Sequence, residues 1–183
     1  MANGQVLHGK GGLPVFGKNG TILYAAQVSM AVDIVISWEG GNDVDICAFY
    51  NVAQGSLGYS HHGYGDPNDD HVITDNGFFA RWAGDNTSGG PETLRLEYSG
   101  NRSSLADVYF DIHANWFSVG RDAEGNEQSG GGPATVTATD ARGTTKSFTI
   151  MPATSKGRAA QSGDPGVRIN FNTNGTIKSI TAC

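Results

Sequence analysis

Cysteine, charge and long apolar runs are all scarce in this chain. Two cysteines in 183 residues, Cys47 and Cys183, are too few for a disulfide framework. Cys47 lies in an apolar run and reads as a small core residue. Cys183 reads as a bystander, and a bridge between the two is left open. Charged residues are 16% of the chain, and 12 Lys and Arg stand against 18 Asp and Glu, for a net charge of -6. That balance offers no basic patch to neutralise phosphates, so nucleic acid is not an expected partner, whereas cations are permitted. No stretch reaches the roughly 18 apolar residues of a membrane span. Met1-Ala2-Asn3-Gly4 carries neither the basic nor the apolar part of a secretory signal. The expected location is a cytoplasm, or a particle assembled from one. Nucleophile and zinc-protease signatures are missing as well: neither G-x-S-x-G nor H-E-x-x-H occurs. A non-enzymatic protein is the expectation.

Glycine is what the chain has in excess, at 27 residues, roughly twice the usual share of about 7%. Hydrophobic residues make up 38% and are strongly patterned, which argues for short strands between turns and against disorder. Val32, Ile34, Ile36 and Trp38 alternate with Asp33 and Ser37, as in a half-buried strand. Asp45–Asn51 is apolar on both faces and predicts a central strand. His71–Thr74 and Phe78–Trp82 flank an Asp-Asn-Gly turn. Thr93–Tyr98 alternates, and Asp107–Trp116 alternates longest. There Val108, Phe110, Ile112, Ala114 and Trp116 face one way, while Asp107, Tyr109, Asp111, His113 and Asn115 face the other. Ala134–Thr139 and Thr144–Ile150 form a hairpin, as do Val167–Phe171 and Thr176–Ala182.

The fold class expected is all-β: an antiparallel β-sandwich of about ten strands with N- and C-terminal β-hairpin extensions. Residues 1–28 read as an arm and hairpin, 29–151 as the sandwich, and 152–183 as a linker and C-terminal hairpin. Phe16-Gly17-Lys18-Asn19-Gly20-Thr21-Ile22 and Phe171-Asn172-Thr173-Asn174-Gly175-Thr176-Ile177 share the pattern F-x-x-N-G-T-I. Asn-Gly favours tight hairpin turns, so two independent hairpins explain the echo; the alternative is a pair of terminal hairpins that pack together or offer similar edges to partners.

Two Gly-rich acidic turns carry the leading chemistry. Trp38–Tyr50 supplies Asp43 and Asp45, and Ala83–Leu94 supplies Asp85, Asn86 and Glu92. All five offer hard oxygen ligands of the kind calcium takes, about 6–8 at a time. Asp43 and Asp45 are two apart and leave an extended chain on the same side. Asp, Asn and Gly are also what ordinary β-turns use, which is the competing explanation.

Asp43-Val44-Asp45-Ile46-Cys47-Ala48-Phe49 resembles the D-x-D-x-x-A-F segment of the TerD (tellurium-resistance) family. Gly84-Asp85-Asn86-Thr87-Ser88-Gly89 is similar to that family's G-D-N-x-x-G segment, and a later apolar strand ends in Ile112-His113. The resemblance covers roughly residues 32–150 and implies a calcium-binding β-sandwich without catalysis. The family's acidic run after the second segment is shortened here to Gly90-Pro91-Glu92, and neither terminal hairpin belongs to the pattern.

Other clusters have plainer readings. His61, His62, Asp66, Asp69, Asp70 and His71 could hold a transition metal, but no known ligand spacing is present and a solvated loop explains them. Asp107, Asp111 and His113 share a strand face that could hold an acid and a base; a solvent-facing surface explains them more simply. The functional expectation is a structural or interaction protein that binds calcium and protein partners or its own copies, such as a component of a phage particle. One rival is a soluble TerD-like stress-response protein. Another is a carbohydrate- or surface-binding module using Trp38, Trp82, Trp116, Tyr59 and Tyr64.

Overall fold

The alternating segments of the sequence become strands in the computed structural model. It describes residues 5–6, 24–25, 30–39, 43–60, 71–75, 77–87, 89–99, 105–118, 123–126, 131–155 and 157–183. Thirteen strands are assigned, and no helix occurs among the described residues. They are β1 (Gln5–Val6), β2 (Tyr24–Ala25), β3 (Met30–Trp38), β4 (Asp43–Tyr50), β5 (Val72–Asp75), β6 (Phe78–Trp82), β7 (Glu92–Tyr98), β8 (Tyr109–Ser118), β9 (Ala134–Asp140), β10 (Thr145–Ile150), β11 (Ala153–Thr154), β12 (Gly166–Phe171) and β13 (Ile177–Ala182).

Eleven of them build an all-β, sandwich-like fold of two sheets. The first runs β10-β9-β3-β7-β6-β5. The second has β8 at its centre, with β4 on one side and β12, followed by β13, on the other. The long ladders are antiparallel; only β11 joins β8 in parallel, at Asn115 and Trp116. β1 and β2 pair with each other in a small separate ladder. The hairpin expected around Gly17-Lys18-Asn19-Gly20 lies outside the described residues.

The core fills the space between the sheets, because each strand turns its apolar set inward. Val32, Ile34 and Ile36 of β3, Leu94 and Leu96 of β7 and Val136 of β9 meet Val44, Ile46, Phe110, Ile112 and Phe171 of the second sheet. Aromatic rings knit the layers: Phe78 lies 4.8 Å from Tyr50 and 5.9 Å from Phe110, and Phe110 lies 5.2 Å from Phe171. On the outer side of the first sheet, Thr135, Thr137 and Thr139 pair their hydroxyls with Thr149, Ser147 and Thr145.

Three local readings of the sequence change. Asp45–Asn51 was expected to be a central strand. β4 instead pairs with β8 alone, and its other edge is covered by a bridge between Ala48 and Leu57. Both side-chain sets of β4 are buried, Val44, Ile46, Ala48 and Tyr50 on one face and Asp43, Asp45 and Cys47 on the other, which is why the sequence imitates a central strand. Gly58 makes the bridge possible: its φ is +127°, and a Cβ there would run into the Ile46 carbonyl.

The sequence predicts a linker over residues 152–166; the described residues of that stretch pack instead as a cover on the outer face of β8. The reason is Asn115, a fully buried amide that bonds to the backbone of Ser155 and Arg158. The face of β8 holding His113 and Asn115 is therefore not a solvent-facing surface; both side chains are buried.

β12 and β13 do form the C-terminal hairpin, but it is built into the second sheet. β12 pairs with β8 from Gly166 to Asn170.

Asp140, at the end of β9, fastens the two sheets to each other. Its Oδ1 accepts the N–H of Arg142 and of Thr144, each at 2.9 Å, and its Oδ2 accepts the N–H of Ile177 on β13, also at 2.9 Å. Burial alone would raise its pKa, but these backbone hydrogen bonds outweigh it and hold the carboxyl below the usual range. Asp140→Ala strands those donors and is expected to cost about 2–3 kcal/mol, read by urea unfolding. Asp33 is the control. Its ion pair with Arg95 is exposed, so Asp33→Ala should cost under about 1 kcal/mol.

Candidate metal centre

Alternation along β4 sends Val44, Ile46, Ala48 and Tyr50 into the core. Asp43 and Asp45 occupy the alternate positions at the start of that strand, and both are buried. A bulge between Asp43 and Val44 marks where the ladder with β8 becomes irregular. The second acidic turn approaches through two glycines. Gly84 holds a φ of +106° immediately before Asp85, and a Cβ on it would come 3.4 Å from the His71 imidazole. Gly90 lies against the Trp38 ring so closely that a Cβ would be 2.9 Å from its Cε3. Trp38 ends β3, just before the first acidic turn. The contact therefore draws the loop 83–91 towards β4.

The result is a convergence of three carboxylates. One oxygen from each of Asp43, Asp45 and Asp85 lies within 4.8 Å of the others. Asp43 Oδ1 and Asp45 Oδ2 are buried and have no hydrogen-bond partner among the described residues. A buried carboxylate oxygen left in that state is costly unless a proton or a cation meets it.

Glu92 stands behind this group. It is 1% exposed, and both of its oxygens are engaged. Oε2 accepts the Trp82 indole N–H at 3.0 Å, and Oε1 accepts the Asn86 backbone N–H at 3.5 Å. Asn86 in turn directs its side-chain amide to the Pro91 carbonyl at 3.5 Å. His71 stacks on Trp82 at 5.1 Å and closes that side. Trp82 and His71 lie outside the acidic pattern; the sequence offers them for other roles, Trp82 as a sugar platform and His71 in a transition-metal loop.

The electrostatics follow from burial and crowding. Burial, then the Asp85 charge, raises the Asp43 pKa to about 6. Burial, with Asp43 and Asp85 adding to it, raises Asp45 to about 8. Burial raises Glu92 to about 9 against the lowering effect of its two hydrogen bonds, with Asp85 and Asp45 raising it further. All five residues expected from the sequence thus fall in one neighbourhood. Three offer converging oxygens, while Glu92 and Asn86 bond to each other at its edge.

Compared with known proteins, the chain matches no family model, no curated protein and no solved structure. The likeness of Asp43–Phe49 and Gly84–Gly89 to the TerD pattern therefore rests on those residues alone.

Other sequence-based sites fare differently. Trp38, Trp82 and Trp116 are buried at 8%, 1% and 0% exposure, so they are core residues and not exposed platforms for sugar rings. Tyr59 is exposed, and Tyr64 lies outside the described residues. So do His61, His62, Asp66, Asp69 and Asp70, the loop considered for a transition metal. Cys47 is buried and Cys183 exposed, and no disulfide joins them. No helix among the described residues is long and apolar enough to cross a membrane.

Proposed function

We propose that this chain is a non-enzymatic β-sandwich protein that carries a calcium ion on Asp43, Asp45 and Asp85 and acts through surfaces that bind other protein. The observation that carries the reading is the pair of buried carboxylate oxygens, Asp43 Oδ1 and Asp45 Oδ2, left without partners beside a third carboxylate. A divalent cation removes both the repulsion and the unmet hydrogen-bonding capacity. Backbone carbonyls and water would complete a shell of oxygens. Glu92 and Asn86 brace the second turn, so that Asp85 is held facing β4. Calcium suits such a site better than magnesium, which demands a smaller, near-ideal octahedron.

The proposed biological setting is a larger assembly, such as a phage particle, whose subunits use calcium to stiffen a Gly-rich β domain. It rests on composition and fold type. A TerD-like cytoplasmic stress protein shares the metal chemistry and differs in native size. Sedimentation of the native protein separates the two, since a subunit runs with a large particle and a stress protein runs alone or as a small oligomer.

The metal reading is tested by thermal unfolding at neutral pH in calcium, in magnesium and in chelator. Calcium that binds only the folded state adds about 3–4 kcal/mol at roughly 100–1,000 times Kd. The expected result is a higher Tm in calcium than in matched magnesium, with most of the rise gone in Asp45→Asn. Identical melting curves in calcium and chelator would reduce the centre to a pair of acidic turns.

A further inference from the structure

We propose that Asp111, His113 and Cys183 form a second cation site, built for a borderline-soft divalent ion of the zinc class. One ligand atom from each of the three lies within 4.8 Å of the others. None of them belongs to the calcium centre. They come together only through strand pairing. Asp111 and His113 occupy alternate positions on β8, and the ladder sets Gly166 of β12 opposite His113. Beyond Gly166, the Cys183 N–H donates to the Gly166 carbonyl at 3.1 Å. Cys183 is therefore one strand further along the same row. Gly166 has no side chain, and a Cβ there would be 2.6 Å from His113 Nδ1. The glycine leaves the room that the imidazole occupies between β8 and Cys183.

Two of the three donors are held by partners outside the triad. His113 Nδ1 lies 2.7 Å from the Asp164 carbonyl. A carbonyl only accepts, so the proton is assigned to Nδ1 and the lone pair to Nε2. This is the arrangement by which metal-binding histidines are usually oriented. Asp164 is itself fixed, with its carboxylate gripped by Arg158 at 2.7 and 3.0 Å and by the Gln161 N–H at 2.7 Å. Asp111 is set by Arg168, which donates to both its oxygens at 2.7 and 2.6 Å while lying over the Tyr109 ring. The guanidinium takes one lone pair on each oxygen, and the second lone pair of either oxygen is the one a cation would use.

Nitrogen, sulfur and oxygen donors together select zinc-class ions; calcium takes oxygen alone. Three protein ligands leave a fourth tetrahedral position open to solvent on the exposed Cys183 side. Binding requires the thiolate, so each ion taken up releases the Cys183 proton to solvent and affinity rises with pH.

Cobalt(II) serves as the probe, added to the full chain in excess calcium so that the oxygen site is filled. The expected result is one cobalt per chain, with a thiolate-to-cobalt charge-transfer band that zinc displaces. Cys183→Ser should abolish the band, whereas Cys47→Ala and Asp45→Asn should keep it. His113→Gln removes a ligand and should weaken cobalt binding at least about 10-fold, no less than loss of a ligand's hydrogen-bond partner would. If that variant does not fold, Asp111→Asn is read the same way. A missing band, a band that survives Cys183→Ser, or unchanged affinity in the folded His113 or Asp111 variant would each overturn the site. Since Asp45→Asn removes only the calcium response, failure here is separable from failure of the calcium reading.

Discussion

Removing residues 166–183 is expected to leave a chain that does not fold. β12 lies between β8 and β13, so the cut deletes two strands of the second sheet and bares one edge of its central strand. Val167, Ile169, Phe171 and Ile177 are all at most 2% exposed. Each such side chain contributes about 1.5–3 kcal/mol by burial, so the four together approach the whole stability of a typical domain, about 5–15 kcal/mol. The loss also unseats Phe110, which packs against Phe171, and takes away the Ile177 N–H that Asp140 accepts. Circular dichroism should show loss of the cooperative melt, and amide exchange should show no protected core. Deleting residues 1–28 is the contrast. Among the described residues, that segment contributes only the β1–β2 ladder, which is bonded to neither large sheet, and the shortened chain should still melt cooperatively. A 1–165 fragment that melts within a few degrees of the full chain would instead make the C-terminal hairpin an appendage.

The contrast between these truncations shows where sequence patterning is informative. Alternation in Val32–Trp38, Leu94–Tyr98 and Val108–Trp116 is a local consequence of a half-buried strand, so strand positions were readable from single segments. The acidic centre was readable for a similar reason. Asp43 and Asp45 share a side of one strand, and a second Gly-Asp-Asn turn offers the same chemistry. Their meeting was a guess about tertiary structure that the loop 83–91 supports through Gly90 and Trp38.

What stayed hidden was the far side of each strand. β4 looks central because both of its side-chain faces are buried, although β8 is its only strand neighbour and a short bridge at Leu57 covers the other edge. His113 and Asn115 look solvent-facing because polar residues alternate with the core set, yet the backbone of Ser155, Arg158 and Asp164 lies against them. No local pattern announces such a cover, since a polar side chain satisfied by a loop and one satisfied by water look alike in sequence. The same holds for Cys183. It is 70 positions from His113 in the chain, and only the β8–β12 ladder and the Cys183–Gly166 hydrogen bond bring them together.

Without divalent cations, raising the pH from about 5 to about 9 is expected to destabilise the protein, and calcium is expected to reverse that trend. Asp43, Asp45 and Glu92 have ordinary pKa values of 3.8, 3.8 and 4.5, raised in the fold to about 6, about 8 and about 9. Below about pH 3 these groups are protonated in both states and contribute little pH dependence. Above it, the unfolded chain ionises first while the folded chain keeps its protons. The folded state then holds more protons, so stability falls as pH rises, until each group passes its folded pKa. One such group gives a slope of at most about 1.4 kcal/mol per pH unit, and Asp45 with Glu92 about twice that between pH 6 and 8. Calcium replaces the protons of Asp43 and Asp45, so its advantage over chelator should widen from pH 5 to pH 8. The measurement is a set of melts at several pH values, with and without calcium, on the wild type and on Asp45→Asn. The variant removes one ionisable group from the centre, and its slope in chelator should be visibly shallower. If the chelated wild type instead gains stability between pH 5 and 8 relative to Asp45→Asn, the Asp45 carboxylate is ionised and satisfied without metal. The centre would then have no need of calcium.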